Sequence, residues 1–566
     1  MNSERFINPY NFVPLVGKCQ KEKRNKGNLT GKITCTLETK TPLFIPTANE
    51  ESSDFFHYDD EKIPVIPGSE LRGTIRSVFE AAFNGCLSQV NTEYFHRRSK
   101  DIKYPGIIRK TEAGWELQKC KKGKIDNKPG IQEGMPAFYN VLQKKKTSFT
   151  IESKERQRYR NKGFIHIGEQ GPDGIAKFIF APIGKAIKVE CLEIERLEQI
   201  LLLYNNNDEH SGYHEYMKLF KKIKDQQSPL DKDLVLPVYY YENNGVVGYL
   251  APAAISQEVF MKTLQTILGV QGSYSPCECS TKICPVCNLF GFVSKADARA
   301  SRVRFGDAMI TTNPPFYEST IRLPALGAPK PGAVEFYTEV PANIRENYWT
   351  YDYYKIGKKR ISLKPGEIKI RGRKFYWHHE VDDDLLKPIN PKEEIPEMEC
   401  NVKPLKKNHK FVFTVFFEQL TEDELRQLCW VLDFGGSESH AHKIGKAKPL
   451  GFGSAQIKID KIMTRTIDKK SGQWTLNEYK HHLYTVETND EMKILLDIMQ
   501  YPAKVQGKVQ YPKVSSKGQG VNDAASHKWF TKNMEGNRFK QVLPTIKEEL
   551  EPTSVSKWLQ VKPTNK

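Results

Sequence analysis

The chain has 566 residues, 39% hydrophobic and 27% charged, which excludes wholesale disorder and leaves enough apolar mass for a sizeable core. Lys and Arg outnumber Asp and Glu by 86 to 68. The resulting charge of +18 favours a polyanionic partner (RNA, DNA or an anionic membrane surface), with a merely soluble basic protein as the plain alternative. No stretch approaches the ~18 consecutive apolar residues of a membrane helix. The first residues hold no apolar signal core, so the chain reads as cytoplasmic, without a membrane.

In chain order, residues 31–38 alternate small apolar and polar residues, a strand pattern. An acidic loop follows at 47–62. The segment beginning Ile63-Pro-Val-Ile-Pro-Gly-Ser-Glu-Leu-Arg then opens a helix. Ser69 is its expected N-cap, and Leu71, Ile75, Val78, Phe79 and Ala82 share one face. Arg72 and Arg76, four apart, share another. Residues 91–233 differ: ten basic and three acidic residues lie between Arg97 and Lys124, and eight and two between Lys144 and Lys162. This region reads as a basic, partly ordered insertion with one helix-like piece at 192–203. Residues 233–241 look strand-like, 257–268 helix-like, and 409–417 alternate as a strand. Thr421 and Glu424 form a capping-box pattern ahead of a helix at 421–433. Residues 455–459 read as a further strand. The expected domains are 1–90, the first part of a core; 91–233, the insertion; 234–460, the rest of the core; and 461–566, a separate basic C-terminal extension.

Four constellations carry chemistry. Of eleven cysteines, four crowd into Cys277-x-Cys279-x4-Cys284-x-x-Cys287, a set suited to structural zinc in a reducing compartment. The spacing is tighter than in a zinc ribbon, so one cysteine can be spare and a histidine can replace it. The acidic loop carries Glu50, Glu51, Asp54, Asp59, Asp60 and Glu61, and composition alone does not choose among them or separate a reactive loop from a solvated one. Lys448-Pro-Leu-Gly-Phe-Gly-Ser454 has two glycines that allow close backbone approach to phosphate, although a bare turn fits equally well. Residues 334–377 interleave Tyr348, Trp349, Tyr351, Tyr353 and Tyr354 with Lys355, Lys359, Arg360 and further cations. That pattern suits single-stranded nucleic acid or a hairpin with an aromatic core face. His440 and His442 flank no identifiable nucleophile.

Lys40-Thr-Pro-Leu-Phe-Ile45, the Pro-Gly-Ser-Glu-Leu-Arg helix start, Cys284-Pro-Val-Cys-Asn-Leu-Phe-Gly291 with Arg302-Val-Arg-Phe-Gly-Asp307, and Pro449-Leu-Gly-Phe-Gly-Ser454 occur in an order that resembles the RAMP superfamily. The resemblance covers about residues 28–90 and 235–460. More narrowly, it resembles the guide-RNA-binding backbone subunits of type III CRISPR effector complexes. The insertion and the Pro324–Tyr337 stretch look most like the III-D branch. The resemblance implies an α+β fold with a ferredoxin-like (RNA-recognition-motif-like) core, an antiparallel sheet and a thumb-like region at 334–377. It implies guide RNA (crRNA), target RNA and other effector subunits as partners. It places guide contacts at Ser69, Arg72, Arg76, Lys448, Gly451, Gly453, Tyr353, Lys359 and Arg360. Cleaving members cut target RNA with an aspartate in the loop after the first strand and Mg or another divalent cation. Asp54 is the best positional match, with Asp59 and Asp60 as rivals. Two alternatives stay open: a non-catalytic RNA-binding subunit, and a guide-processing endoribonuclease using His440 or His442 without metal.

Overall fold

The computed structural model describes residues 5–47, 53–58, 62–91, 93–99, 103–125, 130–141, 148–152, 160–171, 174–205, 213–243, 245–312, 316, 320–326, 329–342, 344, 347–357, 359–389, 399–479, 486–515, 523–535, 538–551 and 558–563. They divide into two compact units. One comprises Met1–Asn91, Leu264–Tyr348 and Pro365–Lys566; the other Thr92–Thr263 and Trp349–Lys364.

The first unit is built on an antiparallel sheet in the order His442–Lys443, Ser454–Ile467, Leu29–Thr39, Lys410–Leu420, Ala308–Ile310, Val65–Ile66. Val303–Phe305 also pairs with Lys410–Leu420, and Trp474–Glu478 extends Ser454–Ile467 as a ribbon. The alternation expected at 31–38 is real: Ile33, Cys35, Leu37 and Thr39 are buried and the residues between them are not. In Lys410–Leu420, Phe411, Phe413, Val415 and Phe417 point inward. Two helices, Gly68–Ala82 and Glu422–Asp433, pack against this core through Leu71, Ile75, Val78, Phe79 and Ala82 and through Leu425, Leu428 and Leu432. The second helix has the capping box its sequence announced: Thr421 Oγ1 accepts from Glu424 N–H at 3.1 Å, and Glu424 accepts from Thr421 N–H at 3.0 Å.

The residues after 460 do not stand apart as a separate extension. Ser454–Ile467 runs past the expected end of its strand at 459. Helix Asp490–Met499 packs on Gly68–Ala82, and Lys508–Val509 pairs in parallel with Phe6–Ile7. Phe6, Tyr10 and Phe12 share a core with Phe336, Trp529, Leu543 and Leu559. Apolar side chains from both regions are buried together in this core.

The second unit is an eight-stranded sheet in the order Gly174–Val189, Asn161–Gly171, Pro136–Val141, Ser148–Glu152, Gly114–Ile125, Tyr104–Thr111, Leu236–Asn243, Val246–Ala251. Gly174–Val189 also pairs with Gly114–Ile125, which closes the first five strands into a ring. Ile125, Ala137, Ile151, Ile165 and Ile179, one from each strand, form one core of the ring. Helices Cys191–Asn205 and His214–Lys224 cover Ile108, Leu117, Leu236 and Val238. The helix-like reading of 257–268 fails. Gln257–Val259 is a strand paired with His96–Arg98, and the helix is the shorter Leu264–Val270.

Candidate nucleic-acid interface and metal centre

The segment Lys40–Ile45 continues the central strand and acts as a hub. Gly453 N–H donates to Pro42 O at 2.8 Å and Lys446 N–H to Phe44 O at 2.9 Å, which seats the glycine loop. Phe56 N–H donates to Ile45 O at 2.8 Å, which seats the acidic loop. The helix start joins the same place. Glu70 accepts from Gly445 N–H at 2.8 Å and lies 3.8 Å from Lys448 Nζ. Asp307, the last residue of the Arg302–Asp307 motif, accepts from Gly68 N–H at 2.7 Å and from the Tyr58 hydroxyl at 2.8 Å. Motifs far apart in sequence therefore meet at one end of the central strand.

Several predicted residues take different local roles. Ser69 is not the N-cap: Pro67 occupies that position, Asp307 supplies the acceptor for the orphan N–H, and Ser69 lies exposed in the first turn. Arg72 donates to the Phe290 carbonyl, and burial lowers its pKa. Arg76 bonds Glu80 at 3.1 Å and Cys287 Sγ at 3.6 Å. Both guanidiniums brace the cysteine segment.

Within the acidic loop, Asp54 accepts from Lys62 Nζ at 2.8 Å. That hydrogen bond holds its carboxyl below the usual carboxylate value, so it is ionised at neutral pH. Asp59 and Asp60, like Glu50, Glu51 and Glu61, lie outside the described residues. In the glycine loop, Gly451 and Gly453 have φ of +97° and +78°. A Cβ on Gly453 would sit 1.9 Å from Ile444 O, so the close approach these glycines allow is to the protein's own backbone. Lys443 is buried beneath the loop and donates to the carbonyls of Gly451 and Phe452 at 2.9 and 3.0 Å. Burial lowers the pKa of Lys443 and of Lys448.

The sulfur cluster differs from the expected set by one ligand. Cys86, Cys277, Cys284 and Cys287 are all buried, with their Sγ atoms within 4.8 Å of one another. Cys86 Sγ lies 3.5 Å from Cys287 Sγ and 3.7 Å from Cys284 Sγ. Four sulfurs ~2.3 Å from a central zinc form a tetrahedron with edges of ~3.8 Å, so these separations fit a zinc site closely. Backbone N–H groups of Cys284 and Cys287 donate to the sulfurs of Cys277 and Cys284 at 3.3 and 3.4 Å, and Arg76 offsets thiolate charge. Hydrogen bonds from Cys19 and Cys277 hold the Cys284 thiol low, while hydrogen bonding to the other thiols and burial push Cys86 and Cys287 up. Cys279 is left out. It opens a tight turn, closed by Lys282 N–H donating to its carbonyl at 3.2 Å, and its exposed thiol meets Thr281 Oγ1 at 3.0 Å. Cys86 was missed because it lies almost two hundred residues upstream. Its one local sign is the Asn84-Gly85 pair that ends the helix immediately before it.

The aromatic stretch forms the hairpin Tyr353–Ile356 with Lys359–Ser362. Tyr353 is buried, and its hydroxyl donates to Glu258 at 3.1 Å. Arg360 bonds the same carboxylate at 2.8 Å and lies over the rings of Tyr241 and Tyr353. Lys359 is exposed. His442 is fully buried, bonded to Leu432 O at 3.0 Å and stacked on Phe434, and burial pushes its pKa down to about 4. His440 is half-buried, 2.7 Å from Ser437 Oγ.

Among solved structures, the chain is similar to the type III-B Cmr-beta bound to cognate target RNA, at 8% identity and TM-score 0.18, covering 75% of this chain and 96% of that one. It is also similar to Thermofilum pendens Csc2, at 12% identity and TM-score 0.15, covering 82% and 83%. No curated protein matches it. No described helix is long and apolar enough to cross a membrane. The sequence model of the RAMP superfamily matches residues 36–456, well over half of the chain, and the protein belongs to the RAMP superfamily.

Proposed function

We propose that the chain is a cytoplasmic backbone subunit of a type III CRISPR ribonucleoprotein, of the III-D branch, that grips guide RNA and cleaves paired target RNA with other effector subunits around it. The observation that carries this reading is the convergence of the acidic loop, helix start, Asp307 motif and glycine loop at one end of the central strand. A ferredoxin-like core is supported by the strand order, with a helix after the first strand and another after Lys410–Leu420. Residues 92–263 would be an insertion into that core. Exposed Ser69, with Lys448 beside it at Glu70, is the best-placed contact for guide phosphates; Lys359 is a further exposed cation. The four buried thiols would hold structural zinc.

Cleavage would proceed by attack of a ribose O2′ on the adjacent phosphorus, with loss of the 5′ oxygen. The in-line geometry this needs is reached by a flipped nucleotide and denied in an A-form duplex. Asp54, kept ionised by Lys62, would accept the 2′ proton or help hold a divalent cation, which would supply positive charge to the reacting phosphate. Asp54→Ala in the assembled complex should leave target binding intact and slow one cut by about 10²–10⁴-fold. Normal cutting by Asp54→Ala, with loss in Asp59→Ala or Asp60→Ala, would move the role to those residues. A binding-only subunit is the second reading, favoured by the ion pair that occupies Asp54; an unmodified complex that never cuts at this position would select it. Metal-free guide processing gains nothing from His442, which is buried; cleavage in excess chelator would be its mark.

A further inference from the structure

We infer that the ring of five strands in the second unit is an RNA-binding module in its own right, with the patch around Lys122, Lys124 and Phe178 as its contact surface. This rests on the reading of the chain as an RNA-binding protein but assigns a site none of its RAMP motifs touches.

Charge is segregated within this unit. By sequence, residues 114–189, whose described strands form the ring, hold 16 Lys and Arg against 7 Asp and Glu; residues 190–233, whose described helices cover Ile108, Leu117, Leu236 and Val238, hold 6 against 10. A merely soluble surface mixes the two signs, whereas one cationic element backed by an acidic layer presents a directed positive field. The local geometry supplies a second observation. Phe178 stands directly across from Lys124 in the strand pairing and is half-buried. Lys122 Nζ sits 4.6 Å from the Phe178 ring centroid and 5.3 Å from that of Tyr239, and donates to the Tyr239 hydroxyl at 3.2 Å. No described carboxylate pairs with Lys122 or Lys124, both exposed, although Lys119 and Lys162 nearby are paired with Glu242 and Asp233. A half-buried aromatic ring beside two lysines without a described carboxylate partner suits single-stranded RNA: a base stacks on the ring and flanking phosphates meet the cations. An anionic lipid surface would use the charge but not the ring, and an acidic protein would not need the ring's flat face.

The test is binding of a labelled single-stranded oligouridylate to the full-length protein and to Lys122→Gln/Lys124→Gln, across salt concentrations. Each lost phosphate contact flattens the slope of log affinity against log salt by ~0.7, which at about 0.1 M salt is about fivefold in affinity. The double variant should bind about 25-fold more weakly, with a slope flatter by about 1.4. With 4-thiouridine in the RNA, photo-crosslinks should fall in the peptides 114–125 and 174–189. Unchanged affinity and slope, or crosslinks confined to other peptides, would overturn the module while leaving the proposed guide site standing. A wild-type protein that binds no RNA would remove both. Equal binding to phosphatidylserine vesicles, lost in the double variant while RNA affinity is not, would assign the patch to membrane surface instead.

Discussion

Cys86→Ser is the most informative single substitution, because the alternative set with Cys279 makes the opposite prediction. Two edges of the buried sulfur cluster already stand at 3.5 and 3.7 Å, and all four sulfurs lie within 4.8 Å of one another. A zinc tetrahedron needs ~3.8 Å, so these two edges already match it and the cluster has to contract by no more than about 1 Å elsewhere. Structural zinc binds small folds with about 10–16 kcal/mol of apparent free energy. Shared equally, each thiolate is worth about 2.5–4 kcal/mol, so losing one should weaken zinc by about 10²–10³-fold. Serine keeps the size and polarity of the side chain, so the loss measures ligation rather than packing. Cys279→Ser should leave affinity unchanged, since that thiol is exposed and turned to Thr281. Zinc content of the purified protein, followed by competition with a colorimetric chelator, reads both. Cys277→Ser should match Cys86→Ser, and both should lower the thermal midpoint because zinc binding is folding free energy. The reasoning fails if Cys86→Ser holds zinc as the wild type does, if Cys279→Ser loses it, or if the wild-type protein carries less than about half an equivalent.

Three further outcomes follow from the geometry. Asp54 has a depressed folded pKa, so its pairing with Lys62 is in force above the unfolded value and is lost only as pH falls through the lower folded one; target cleavage should therefore show no carboxylate limb between about pH 6 and 8, and a limb there that disappears in Asp54→Asn would contradict this. Glu424 accepts from Arg302 Nη1 at 2.9 Å and Asn288 Nδ2 at 2.7 Å while closing the capping box. Glu424→Ala should cost about 3–5 kcal/mol by leaving the buried Arg302 without its counter-ion, bonded only to the carbonyls of Asn288 and Gln419, and Arg302→Met/Glu424→Leu should recover much of it; a single-variant loss under about 1 kcal/mol in denaturant titration would refute the account. Gly453→Ala should destabilise by at least the about 1–3 kcal/mol of left-handed strain, with the Ile444 O clash added, and a melting curve superimposable on the wild type would show the loop to be compliant.

Local periodicity was enough to read the central strand, the two core helices and the Thr421–Glu424 cap, because each depends on residues two to four apart. Ordered motifs were enough for the superfamily. The rest depended on distant partners. The Gln257–Val259 segment is a strand because His96–Arg98 is there to pair with it, and no helical period in its own residues can report that. Tyr353 and Arg360 look free in the sequence, yet Glu258 binds both. The stretch at 91–233 shows no clean long period in sequence; ring closure by Gly114–Ile125 and Gly174–Val189 gives its described strands a core. The buried thiol cluster shows the division most plainly. Spacing found three of its sulfurs, since a Cys-x-x-Cys turn is local. The fourth, Cys86, arrives from the end of a helix far upstream, because only tertiary packing decides which thiol joins the buried cluster.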